Sequence, residues 1–268
     1  MTFSVVTTFH KEGYEKYGKR MIQTFLQNWP SDVHLHVYAE ECDVTEQADN
    51  LFVHNLHEAS PELVEFKNKW KSVPKANGKE PILPLIPHAK KQPGLGFKWD
   101  AVRFSHKVYA IFHCATICNT DALLWMDADS VCHSPITLSE LERFCPENID
   151  LAFLGREGKY TECGLYYMNL KSEAVQVFLK RFQWMYDDAE NGMFKQSEWH
   201  DSFIFDAVRK HTVLRELNWS LGLIKGEGHP LVNSEWGKYL DHLKGDRKTL
   251  GRSKSTDLKI QRTESYWN

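Results

Sequence analysis

Ala122-Leu123-Leu124-Trp125-Met126-Asp127-Ala128-Asp129 sets two carboxylates directly after an unbroken apolar run. The run reads as a buried strand, which places Asp127 and Asp129 at its C-terminal mouth. Open α/β sheets bind their ligands at that end. On extended backbone the two aspartates of an Asp-X-Asp share one side, with the small Ala128 between them. Converging carboxylates repel each other unless something neutralises them. A divalent cation does so, and a nucleotide diphosphate fills its remaining positions. The competing reading is a polar turn in which Asp129 caps whatever begins at Ser130.

A second stretch, His242-Leu243-Lys244-Gly245-Asp246-Arg247-Lys248, holds what such a site lacks. His242 offers an imidazole to a metal, Gly245 lets backbone approach phosphate, and Lys248 brings a point charge to diphosphate oxygens. The competing reading puts His242 on the surface of a helix marked by Trp236, Leu240 and Leu243, with Lys244 to Lys248 as its solvated basic end. His229, in Gly226-Glu227-Gly228-His229-Pro230, is a rival third ligand. His242 is preferred because it alone has the glycine and lysine downstream.

The order of elements fits an α/β fold with a mostly parallel sheet flanked by helices. Phe3 to Phe9 reads as a first strand. Tyr17, Met21, Phe25 and Trp29 then recur at helical spacing until Pro30, and Val33 to Ala39 reads as a second strand. Strand, helix, strand at this spacing predicts a parallel βαβ unit. Ser60-Pro61 predicts a helix start, with Ser60 as its cap and Leu63, Phe66 and Trp70 on one face. Pro74, Gly78, Pro81, Pro84, Pro87, Pro93, Gly94 and Gly96 follow, so residues 60–96 read as an irregular surface insertion. Phe97 to Phe112 returns to helical periodicity, with Arg103 and Lys107 four apart on one side. Further strands are expected at Asp150 to Leu154 and Gly164 to Asn169, and a helix carrying Val175, Phe178, Leu179, Phe182 and Met185. The expected organisation is one catalytic domain over 1–250 and a polar, basic tail over 251–268.

Composition narrows the partners. At 268 residues, with 42% hydrophobic and 26% charged, the chain can bury one substantial core. A net charge of −3 argues against a nucleic-acid partner, which calls for a basic domain. Aromatic residues make up 13%, with nine tryptophans, and aromatic faces suit sugars and bases as well as core packing. Cys42, Cys114, Cys118, Cys132, Cys145 and Cys163 contain no CxxC and read as reduced thiols. Met1-Thr2-Phe3-Ser4-Val5-Val6 leads straight into a strand-like run, and no apolar stretch approaches the ~18 residues of a membrane span, so the expected location is cytoplasmic.

The motifs themselves carry a resemblance. Met126-Asp127-Ala128-Asp129-Ser130-Val131 resembles the strand-end motif of metal-dependent GT-A fold glycosyltransferases, and His242-X-X-Gly245-X-X-Lys248 resembles the C-terminal motif of their retaining, family-8-like members, glycogenin among them. The family motif continues into Pro-Trp where this chain has Thr249-Leu250, which marks a distant relative. The resemblance implies manganese, with magnesium as the alternative, held by Asp127, Asp129 and His242. It implies a nucleotide-sugar donor, with uridine diphosphate as the expected carrier, contacted by Ala128, Gly245 and Lys248. Thr7, Thr8 and either Tyr14 or Tyr17, with Tyr17 preferred, stand where the family holds the nucleotide. Arg103 and Lys107 stand where it places basic donor contacts, although a solvated basic face reads equally well. In Thr161 to Leu170, Glu162 stands where the family has an asparagine or aspartate, able to face the transferred sugar or to form a salt bridge. In Trp199-His200-Asp201-Ser202, Asp201 matches a sugar-positioning or catalytic aspartate, with a helix cap as the plain alternative. The implied reaction is transfer of the sugar, with retention, to a glycan or other hydroxyl acceptor. The rivals are a sugar-phosphate nucleotidyltransferase and an inactive relative that only binds. The first calls for a glycine-rich basic loop after the first strand, and Thr7-Thr8-Phe9-His10-Lys11-Glu12-Gly13 is not one.

Overall fold

The computed structural model describes residues 1–79, 96–220 and 228–268. Residues 80–95 of the expected 60–96 insertion, with Pro81, Pro84, Pro87, Pro93 and Gly94 among them, lie outside the described residues, as do Gly226 and Glu227 beside His229.

The apolar segment Phe3–His10 forms β1, and a continuous helical run follows: α1 (Lys11–Gly13), a π turn over Tyr14–Gly18, and α2 (Lys19–Asn28). Next come β2 (His34–Glu40), β3 (Leu51–Asn55), α3 (Leu56–Ala59), α4 (Pro61–Trp70) and α5 (Ala101–Ile117). The central part holds β4 (Ala122–Met126), β5 (Ser130–Cys132), α6 (Leu138–Phe144), β6 (Leu151–Leu154), β7 (Glu162–Asn169), α7 (Glu173–Asp187) and α8 (Asp201–Arg209). Finally there are β8 (Glu216–Asn218), α9 (Pro230–Asn233), β9 (Leu240–His242) and α10 (Arg247–Leu250).

The main sheet has seven strands in the order β3-β2-β1-β4-β7-β6-β8. Pairs β1–β2, β2–β3, β1–β4 and β6–β8 are parallel, whereas β7 runs antiparallel to β4 and β6. The expected α/β class with a mostly parallel mixed sheet is therefore what the chain adopts. From β1 the chain steps outward to β2 and β3, then returns to place β4 on the other side of β1. That reversal opens a crevice beyond the carboxyl ends of β1 and β4, where α/β sheets hold ligands.

Strand alternation sorts the core into two layers. On β4, Leu123 and Trp125 join the cluster with Val108, Phe112, Phe178 and Phe182 of α5 and α7. Leu124 and Met126 join the opposite cluster with Met21 and Phe25 of α2, Phe144 of α6 and Trp236. Each such fully buried side chain contributes on the order of 2 kcal/mol. The unbroken apolar sequence of β4 thus follows from burial on both faces of the sheet.

One local expectation is corrected and one competing reading is set aside. Ser60 is the cap residue of α4 by position, but its hydroxyl donates to Tyr109 O at 3.4 Å instead of capping the helix. Where the competing reading put a helix through Trp236, Leu240 and Leu243, the chain forms a short 3-10 turn over Glu235–Lys238 followed by β9. β9 pairs antiparallel with β5, Ser130 opposite His242, so strand pairing overrides the helical spacing. The tail packs on this corner. Ser253 N–H and Oγ–H donate to the buried Asp241 carboxylate at 2.7 and 2.6 Å, and Tyr266 Oη donates to it at 2.9 Å. All six cysteines are free thiols. Among the described residues no helix is long and apolar enough to cross a membrane.

Candidate metal and diphosphate site

Asp127, Ala128 and Asp129 form the turn that leaves β4 for β5. Backbone bonds hold it: Asp127 N–H donates to Gly164 O on β7 at 2.8 Å, and Ser130 N–H donates to Asp127 O at 3.0 Å. Leu243 N–H donates to Asp129 O at 2.8 Å, continuing the β5–β9 pairing past its end. Two segments more than a hundred residues apart are thereby locked side by side. Asp129 is not a helix cap, because a strand follows it.

His242 Nε2 lies 3.1 Å from Asp129 Oδ1 and 3.4 Å from Asp127 Oδ2. The three ligand atoms fall within 4.8 Å of one another, and the imidazole side chain is 2% exposed. His242 is thus a buried strand residue, not the surface helix residue of the competing reading. One edge of its ring comes up against β7 because residue 164 is glycine: a Cβ there would fall 2.4 Å from His242 Cε1. His229 is differently employed. Its Nε2 faces the His242 carbonyl oxygen at 2.9 Å, so that nitrogen carries a hydrogen and is turned from the aspartates.

The field of the site is strongly coupled. Burial works against the imidazolium, but the Asp129 and Asp127 carboxylates outweigh it and push His242 up to about 9. Burial likewise opposes ionisation of Asp127, yet Lys107 and His242 hold its carboxyl well below the usual range. Asp129 is lowered in the same way by His242, with Lys248 assisting. Two carboxylates and one imidazole that converge, with a proton on the ring as the charge between them, fit the donor set of a divalent ion.

Lys248 Nζ lies 3.0 Å from Asp129 Oδ2 and 4.7 Å above the Tyr17 ring, so both fall at the crevice. Gly245 has φ of 59°, a left-handed turn that lets the chain double back between His242 and Lys248. Tyr14 points elsewhere, its hydroxyl donating to Glu46 Oε2 at 2.6 Å. Ala128 is buried in the turn. Thr7 is fully buried within the sheet. Thr8 is partly exposed, its hydroxyl donating to Tyr38 O at 2.7 Å.

Lys107 and Arg103 part company. Arg103 is exposed, its guanidinium carbon 5.7 Å from the Phe104 ring centroid. Lys107 is buried, so the solvated basic face is not its environment. Its ammonium lies 3.2 Å from Asp127 Oδ1 and 2.8 Å from Asp201 Oδ2, and donates to Cys163 O. Burial opposes its charge, but the two aspartates hold it well above the ordinary range. Asp201 is the first residue of α8, while His200 is the cap, its Nδ1 accepting from Phe203 N–H at 3.3 Å. Glu162 takes the salt-bridge alternative: it pairs with Lys244, lies 3.7 Å from Arg156 Nη1, and its Oε1 is 3.7 Å from His242 Nδ1. Burial raises and Lys244, His242 and Arg156 lower its carboxyl, to a net value of about 2.

Asp127, Asp129, Glu162, Asp201, His242 and Lys248 line one cleft of about 1040 Å³, whose wall also includes Phe97, Phe104, Tyr160 and His200. The sequence reading did not assign Lys244 and Arg156. Lys244 stands inside the quoted His242 to Lys248 stretch and was open to notice, whereas Arg156 has no local signal.

No family model matches the chain, and no curated protein matches it. Among solved structures the chain is similar, at 12% identity and a TM-score of 0.47, to the bifunctional glycosyltransferase WbbM, covering 82% of this chain and 39% of that one. It is similar at 12% identity and 0.43 to mouse xyloside xylosyltransferase 1, covering 78% of this chain and 81% of that one. The glycosyltransferase GlyE of Streptococcus pneumoniae matches at 12% and 0.43, over 85% of this chain and 45% of that one. The chain thus spans about two fifths of WbbM and under half of GlyE.

Proposed function

We propose that this chain is a GT-A type, metal-dependent glycosyltransferase that moves a sugar from a nucleotide diphosphate sugar, with uridine diphosphate as carrier, to a hydroxyl acceptor with retention. The observation that supports it most is the meeting of Asp127, Asp129 and His242 at the crevice between β1 and β4, with Lys248 alongside. Manganese, or magnesium, held by those three side chains would neutralise charge on the departing diphosphate. Lys248 adds a point charge on the same oxygens, and Tyr17 offers its ring beside the nucleotide. Asp201, fixed by Lys107, presents a carboxylate toward the sugar as positive charge builds at the anomeric carbon. Glu162 stands 3.7 Å behind His242 Nδ1, supplying negative charge beside the ring, and holds Lys244 at the cleft. The leaving diphosphate takes no proton, so a general acid is not required.

A protein that binds sugar nucleotide without turnover is the second reading, favoured by the fact that Lys107 and Lys248 already neutralise the two aspartates. Donor hydrolysis over a panel of nucleotide sugars, with and without manganese, separates the two. Manganese-dependent release of free sugar from one donor supports the transferase. Donor-dependent thermal stabilisation without release supports the binding protein.

A further inference from the structure

Three ligating side chains meet at a second place. Glu40 ends β2, His57 lies in α3, and His106 lies in α5 one residue before Lys107. His106 Nε2 is 3.1 Å and His57 Nε2 is 3.2 Å from the same oxygen, Glu40 Oε1. All three ligand atoms lie within 4.8 Å of one another, on half-buried side chains that solvent can reach. An ion with bonds of about 2.0–2.1 Å in a tetrahedral site keeps its ligands about 3.3 Å apart, close to these separations.

The hydrogen positions point the same way. His106 Nδ1 lies 3.0 Å from Arg103 O, and a carbonyl can only accept, so this nitrogen carries the hydrogen. In the neutral ring, Nε2 then turns a lone pair toward Glu40. Lys67 Nζ lies 3.1 Å from His57 Nε2 and 2.5 Å from Glu40 Oε1. An ammonium only donates, so His57 Nε2 is an acceptor too. Its other nitrogen, Nδ1, is on the far side of the ring, 3.9 Å from the exposed Glu41 carboxylate and beyond hydrogen-bond reach of it. A ring N–H held by a backbone carbonyl or a carboxylate, with the opposite lone pair turned inward, is how proteins orient metal-binding histidines.

We propose that Glu40, His57 and His106 form a second divalent-cation site, of zinc type, in which the bound ion displaces the Lys67 ammonium. The two nitrogens and one oxygen select a borderline ion such as zinc over calcium or magnesium. Such an ion ties the end of β2 to α3 and α5, the helix that also supplies Lys107 to the crevice.

The test is zinc titration by calorimetry of the full chain after chelator treatment, with cobalt absorption as a reporter of tetrahedral nitrogen ligation. The wild type is compared with His106→Ala, His57→Ala and Lys67→Met. The expected result is that either histidine variant loses one equivalent of zinc, while Lys67→Met binds at least tenfold more tightly. Equal stoichiometry and affinity in the wild type and a histidine variant with the same circular dichroism overturns the site, whichever of the two variants folds. Unchanged zinc affinity in Lys67→Met overturns the displacement. The readout is a difference between variants, so it stands whether or not Asp127, Asp129 and His242 bind an ion.

Discussion

Two clusters in this molecule pair carboxylate with imidazole and a lysine, yet they are built differently. Asp127, Asp129 and His242 sit at the reversal point of the sheet, fixed by strand pairing on both sides. Glu40, His57 and His106 sit where one strand end meets two helices, and Lys67 reaches in from a third. The first cluster has its imidazole deep in the protein and opens on a cleft that takes a large ligand. The second has every member half-buried. A ligand set on a rigid, ligand-accepting edge suits chemistry, whereas one that joins separate elements suits a clamp.

The largest effect that would sharpen this contrast comes from Lys107. Its ammonium bridges Asp127 and Asp201, and Lys107→Met strips the buried Asp201 carboxylate of its cation and leaves Asp127 with His242 and Trp125 alone. A loss of about 3–5 kcal/mol is expected, read from urea denaturation. Lys67→Met, at a partly buried pair whose carboxylate keeps His57 and His106 beside it, is expected to cost less, about 1 kcal/mol. Equal losses would erase the distinction between the two regions.

Next in size is acid sensitivity on the β2 side. His36 on β2 is held down to about 4, by burial first and by neighbouring His54 second. Its folded value lies below its unfolded one, so the stability it contributes is complete above about pH 6.5 and is lost as pH falls toward 4. At pH 5 the loss is about 2 kcal/mol relative to neutral pH. His36→Phe should flatten that slope, and an unchanged slope would remove His36 from the account.

Gly164→Ala follows. The added methyl collides with the His242 ring, so roughly 1–3 kcal/mol of stability should go, together with manganese affinity. Stability lost with metal affinity intact would mean that the ring does not bind the ion. The smallest effect is that of Lys248→Ala, expected to weaken donor binding about tenfold with little change in stability.

The contrast also explains what could be read from residues alone. Asp127 and Asp129 follow an apolar strand in sequence, and His242, Gly245 and Lys248 fall within one short stretch, so each half carries a local signal. Strand ends at Met126 and Asn169 were legible for the same reason, as runs of apolar residues. β9 was not, because Trp236, Leu240 and Leu243 keep helical spacing while partner strand β5 decides the conformation. The full burial of Thr7 was not legible, because strand position does not reveal which face is covered. Lys107 was ambiguous because its partners, Asp127 and Asp201, arrive from distant elements. Glu40, His57 and His106 have no spacing to notice, since helix packing alone brings them together.

Nitrogen coupling to bound manganese, read by pulsed electron paramagnetic resonance in the His106→Ala background that silences the second cluster, tests most directly whether Asp127, Asp129 and His242 hold one ion. One directly bound imidazole nitrogen is predicted, present in His229→Ala and absent in His242→Ala. No nitrogen coupling, or a coupling that survives His242→Ala, would contradict the account.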